Sequence, residues 1–172
     1  MQQPRVFPYV SILLASLAAV LVLGMARPVP ALAASAKAEF TKGYYAFHEL
    51  TKDARKAKYR DQWRKVEDHF RAALKADPDG SYAPKSLYYL GRVNEELGRR
   101  SGLTSDFRTA DDYYGRMIKR FPRHGWTDDC LFRRAKIRIE RLNMITYGTR
   151  DLQTIVADYP KSDMYAEAKI LL

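Results

Sequence analysis

Apolar side chains recur along most of this chain at the three-and-four spacing of one helix face. No long run of β-branched residues alternates with polar ones. Phe40, Tyr44, Phe47 and Leu50 set the pattern, and Trp63, Val66, Phe70 and Leu74 repeat it. Leu87, Leu90, Asn94 and Leu97 follow with one polar member, then Phe107, Ala110, Tyr114, Met117 and Phe121. Leu131, Ala135, Ile139 and Leu142 form the next stripe, and Leu152, Ile155 and Tyr159 another. The stretch Met164 to Leu172 is again apolar at helical spacing. The periodicity predicts an all-α chain of about seven helices.

Breakers fall between the stripes. Asp77-Pro78-Asp79-Gly80 ends the second helix, Phe121-Pro122 the fourth, and Tyr159-Pro160-Lys161-Ser162 parts the sixth from the seventh. Gly98 is expected to end the third helix as a left-handed C-terminal glycine. Thr127 is expected to cap the fifth, with Asp128 and Asp129 at the positive end of its dipole, and Tyr147-Gly148 to separate the fifth from the sixth. Short loops make neighbouring helices antiparallel.

Three prolines share a register. Eight residues before Pro78, Pro122 and Pro160 stand Phe70, Tyr114 and Leu152; eight after stand the small residues Ser86, Cys130 and Ala168. Ten after stand Tyr88, Phe132 and Ile170, and thirteen after the first two stand Gly91 and Ala135. On these residues the chain resembles the tetratricopeptide repeat, a helical hairpin of about 34 residues with a small residue inside its first helix, Ala and an aromatic in its second, and a closing Pro. Leu87, Leu90-Gly91, Ala110, Tyr114 and Pro122 match that motif in order. The proline spacings, 44 and 38, exceed it, and Arg99 to Thr104 is expected as a long inter-helix turn. The resemblance covers residues 60–172, and the first helix, 36–58, fits as a degenerate opening helix. It implies a short solenoid of stacked hairpins whose first helices line a concave side, where an extended peptide or a partner helix docks. The final helix reaches the chain end on Ile-Leu-Leu without a polar cap, so a longer relative is expected.

Three segments, Ser86 to Gly98, Arg120 to Phe132 and Asp158 to Met164, are similar to the repeat region that precedes the catalytic domain in some Gram-negative N-acetylmuramoyl-L-alanine amidases. That resemblance implies a non-catalytic module for protein binding or localisation in peptidoglycan processing. The zinc hydrolase domain would lie downstream, and none of its ligands is carried over onto this chain. The Tyr-Pro-x-Ser form at Tyr159 to Ser162 is also similar to envelope proteins of the Tol–Pal and outer-membrane assembly systems, which implies a free-standing periplasmic adapter instead.

The first 33 residues differ in character. They carry Arg5 and Arg27, no acid, an apolar run from Val10 to Met25, and then Ala31-Leu32-Ala33 in the small-x-small form that signal peptidase reads. Residues 1–33 are read as a cleaved signal peptide and residues 34–172 as the repeat domain, about three hairpins plus a truncated final helix, placed in the periplasm. Cleavage leaves 139 residues and removes two positive charges from the total of +10, leaving +8. The single Cys excludes an intramolecular disulfide and a multi-cysteine zinc site.

Candidate chemistry is sparse. His48-Glu49 opens like a zinc helix motif, but the second histidine position is Lys52. Cys130 shares the register of Ser86 and Ala168 and reads as a small core residue. The pairs Glu95-Glu96 and Asp128-Asp129 point apart on a helix, and no glycine-rich phosphate loop is present. No catalytic residue, metal or cofactor is expected. The basic runs Arg116 to Arg123 and Arg133 to Arg141 read as a solvated face or as a contact for an anionic wall or membrane surface; export disfavours nucleic acid. The expected partner is an envelope protein or peptide in the concave groove. The groove floor is placed at Lys85, Tyr88, Arg92 and Glu95 in one repeat and at Asp129, Phe132 and Lys136 in the next.

Overall fold

The computed structural model describes residues 29–172. It contains α1 (Val29–Lys52), α2 (Arg60–Ala76), α3 (Ala83–Ser101), α4 (Thr104–Arg120), α5 (Thr127–Glu140), α6 (Ile145–Asp158) and α7 (Tyr165–Ile170), with a single 3-10 turn, Lys56–Lys58, before α2. No strand occurs among the described residues. The helices pack as consecutive hairpins, α1 with α2, α3 with α4 and α5 with α6, and α7 lies against α6. The result is a short all-α solenoid. None of these helices is long and apolar enough to cross a membrane. The signal expected over residues 1–33 lies, up to residue 28, outside the described residues; α1 starts at Val29 and passes through Ala33.

The small register positions are where helices meet. A Cβ on Gly91 of α3 would come within 2.4 Å of the Tyr114 ring of α4, so only glycine lets the ring lie against the helix backbone. Gly43 of α1 holds the same relation to Phe70 of α2, at 2.9 Å. In the third hairpin Ala135 takes this position, and Leu152 replaces the aromatic ring in the same buried cluster. The first hairpin is therefore a full unit, and α1 is not the degenerate helix expected over 36–58. Its signal was legible: Phe40 and Gly43 stand ten and thirteen residues after Pro30, the offsets that follow the other prolines. The helix stops at Lys52 because the Asp53 carboxylate accepts the backbone N–H groups of Arg55 and Lys56, both at 3.0 Å, and turns the chain.

Four boundary expectations are corrected. Gly98 does not end α3; it lies buried within the helix under the Phe107 ring, where a Cβ would come within 2.9 Å. The left-handed terminator is Gly102, at φ 70°, whose N–H donates to the Gly98 carbonyl. Arg99 to Ser101 thus extend the helix, supported by the i,i+4 pairs Glu95–Arg99 and Glu96–Arg100, and the expected long turn shrinks to Gly102 and Leu103. Thr127 does not cap α5, because its hydroxyl donates inward to the Phe121 carbonyl at 2.8 Å, which also accepts the His124 N–H at 3.0 Å just past α4. Tyr147-Gly148 lies inside α6, with Gly148 against Ile139; the break comes earlier, where Asn143 takes a positive φ of 53°.

Two apolar cores result. The larger gathers Trp63, Phe70, Leu87, Leu90, Tyr114 and Met117 from α2 to α4 with the aromatic face of α1, and takes Cys130 and Ile137 from α5. The smaller gathers Leu131, Phe132, Ala135, Leu152, Ile155 and Ala168 from α5 to α7. Ile118 packs against both. Ser86, Cys130 and Ala168 are fully buried, as their shared register requires. Burial pushes the Cys130 thiol far above its ordinary value, which makes it a packing residue rather than a nucleophile.

Candidate functional site: a charged cleft between hairpins two and three

The first helices of successive hairpins leave a cleft of about 290 Å³ between α3, α5 and the chain around α7. Of the seven groove residues expected from sequence, Glu95, Asp129, Phe132 and Lys136 line it. The other three lie to one side. Tyr88 is buried, packed on Trp126 with ring centroids 5.1 Å apart, and its hydroxyl accepts Arg92 Nη1 at 3.0 Å and Arg133 Nε at 3.3 Å. Arg92 lies over the Tyr88 ring, and Lys85 sets its ammonium 5.4 Å from the centre of the Tyr82 ring. None of these three is among the residues that line this cleft.

The deepest charge in the wall is Glu95, which is 5% exposed. Its carboxylate accepts Arg99 Nη2 at 2.6 Å, the Tyr114 hydroxyl at 2.9 Å and Arg133 Nη1 at 3.3 Å. Burial, then the neighbouring carboxylate, pushes the Tyr114 phenol well above its ordinary value, so it stays a neutral donor. Burial works against the Arg133 cation, but Tyr114 and Glu95 beside it outweigh that and raise its value.

Asp129 is the opposite case. It stands half-buried at the start of α5, and its carboxylate has no hydrogen-bond or ion-pair partner among the described residues. Burial, then Asp128 and Asp163, raises its pKa, and Arg133 and Arg92 only partly offset this. The sign follows directly. A carboxyl whose pKa rises on folding favours the protonated state, so its charge opposes folding at neutral pH, and stability is gained as pH falls through the raised value. Asp129→Asn is therefore expected to raise the melting temperature at neutral pH by about 2 °C. Thermal melts across pH check this, and the gain should vanish once the native carboxyl is protonated.

The basic run of α5 turns largely inward. Arg134 grips Asp151 of α6 with two bonds at 2.9 and 2.6 Å, and Arg138 spans Asp111 of α4 at 2.5 Å and Asp151 at 3.0 Å. These arginine side chains are only 14% and 15% exposed, so the pairs pin α5 between its neighbours rather than forming an open cationic face. Asp151→Ala would leave two largely buried guanidiniums without their shared carboxylate. It is expected to cost about 3 kcal/mol, read from urea denaturation.

The histidines are each engaged locally. His48 Nε2 meets the Tyr89 hydroxyl at 3.3 Å, His69 Nδ1 meets Glu39 at 2.8 Å, and His124 Nδ1 accepts the Trp126 N–H at 3.2 Å. Among the described residues no group of three or more His, Cys, Asp or Glu is placed to hold a metal.

Comparison with known families decides the class. Residues 85–124, which span α3 from its third residue, α4 and the closing Pro122, match the family model described as tetratricopeptide repeat. That segment is similar to a tetratricopeptide repeat. No curated protein and no solved structure matches it. The Gly91–Tyr114 contact is thus the small-to-aromatic contact of that repeat, and the solenoid is of tetratricopeptide type. Repeats of this kind generally bind protein partners, which supports a protein-binding module.

Sequence reasoning missed Arg99, Arg133, Ile137 and Arg141 on the cleft, together with Met164 and Glu167 from the α7 end. Arg133 and Ile137 were within reach, since they follow the expected floor residue Asp129 by four and eight positions on the same helix face. Arg99 was hidden by the mistaken helix end at Gly98. Met164 and Glu167 come from a distant segment whose placement depends on the packing of α6.

Proposed function

We propose that this chain is a non-catalytic, exported repeat module that holds a segment of an envelope protein in the cleft between hairpins two and three, in the setting of cell-wall processing. The observation that carries the binding role is the cleft itself, an apolar floor of Phe132, Ile137 and Met164 ringed by charges, on a repeat that belongs to a protein-binding class. The envelope setting draws support from the basic, apolar and small-residue order of residues 1–33 and from the resemblance of three segments to the front part of cell-wall amidases. The test places a photo-crosslinking side chain at Lys136 in the cleft and, as control, at Lys75 on the outer face of α2. Selective crosslinking of one protein at Lys136, with the mature chain starting at Ala34, is the expected result. Equal crosslinking at both positions, or none at Lys136, overturns the binding role; a chain that retains Met1 overturns cleavage.

A further inference from the structure

The cleft has polarity, and polarity constrains what it takes. At one end Asp129 stands without a partner among the described residues, with Asp128 and Asp163 close enough to add to its potential. At the other end Arg141 lies over the Phe107 ring, 5.7 Å from its centre, with no ion pair among the described residues, while Arg133, which follows Asp129 by one helical turn and acts on it, shares the Glu95 carboxylate with Arg99. The exposed Glu140 precedes Arg141 and makes no ion pair with it. Between the ends Lys136 and Glu167 neutralise one another at 3.7 Å, and Phe132, Ile137 and Met164 form the apolar floor. A chain of net charge +10 would attract acidic partners everywhere, so an acidic end is a local departure with a specific preference.

We propose that the cleft takes an extended peptide segment bearing a cationic side chain at the Asp129 end, an acidic side chain at the Arg141 end and an apolar side chain between them. The spacing follows from α5. Asp129 and Arg141 are twelve residues apart in sequence. At about 1.5 Å per helical residue that is about 18 Å, and an extended chain rising about 3.3 Å per residue crosses it in about five or six residues. The cation satisfies a half-buried carboxylate that has no partner among the described residues, and the acid pairs with the Arg141 guanidinium. This inference rests on the cleft being the binding site.

Selection of displayed random linear peptides against the folded protein tests it, with the winners remeasured against Asp129→Lys, Asp129→Asn and Arg141→Glu. The expected winners carry a cation and an acid about four to six residues apart with an apolar residue between them. They crosslink at Lys136 and lose about tenfold in affinity for the charge-reversed variants. Asp129→Asn, which keeps the shape, should lose affinity in the same direction even if Asp129→Lys fails to fold. Peptides that crosslink at Lys136 yet bind the wild type and the folded variants equally would overturn the charge polarity and leave the cleft standing. Peptides that crosslink only elsewhere, or no enrichment at all, would overturn both the polarity and the cleft.

Discussion

Replacing Glu95 by alanine is expected to cost about 3–5 kcal/mol of folding stability, the penalty typical of removing one partner from a buried, hydrogen-bonded charge cluster. The magnitude comes from what is left behind. Tyr114 is fully buried, and its hydroxyl has Glu95 as its partner among the described residues, so the variant strands a donor away from water. Arg133, held between Glu95 and the Tyr88 hydroxyl, loses its counter-charge in a partly desolvated place. Arg99 is largely exposed, and its loss of the pair matters little. Glu95→Gln separates the parts: it keeps an acceptor for Tyr114 and removes the charge, and should cost about 1–2 kcal/mol. Urea denaturation of the three proteins checks the order, and an alanine variant within about 1 kcal/mol of wild type would contradict the assignment of Glu95 as the centre of the cluster.

The second large effect is steric. Gly91→Val is expected to destabilise by at least about 3 kcal/mol, because its branched side chain must occupy space held by the Tyr114 ring, which already lies 2.4 Å from where a Cβ would sit. The ring cannot retreat without breaking its bond to Glu95. Hairpin three suggests the compensating change, since it builds the same contact from Ala135 and Leu152. Gly91→Ala should cost about 1–3 kcal/mol alone. Combined with Tyr114→Leu it should cost less than the sum of the single changes, by about 1 kcal/mol or more. Strict additivity in this cycle would mean that the two positions do not share one packing contact.

These contacts also show what the sequence could and could not convey. The hairpin count and the small positions were legible because proline ends helices and because a residue under an aromatic ring must be small; both constraints act locally and leave a fixed spacing. Gly98 was misread because glycine answers two different demands, a left-handed turn and a close approach, and the choice between them lies with Phe107 across the hairpin. Thr127 was misread for a related reason: its hydroxyl was drawn to the Phe121 carbonyl rather than to its own helix. The cleft was half legible. Glu95, Asp129, Phe132 and Lys136 follow from the helical stripe, whereas Tyr88 is covered by Trp126 from a connecting loop whose path no periodicity encodes. The arginines of α5 suggested an anionic surface as long as their partners were unknown; Asp111 and Asp151 lie on two other helices.

The division into two apolar cores has a kinetic consequence. Stacked repeats open in segments rather than all at once, and the smaller core of α5 to α7 has fewer large side chains to hold it. Its amides should exchange with solvent deuterium sooner than those of α2 to α4. The cleft spans this seam, with Glu95 and Ile137 on the side of the larger core and Phe132 on that of the smaller. An occupant would therefore tie the weaker block to the stronger one, and its arrival would register as slowed exchange along α6, a helix it never touches.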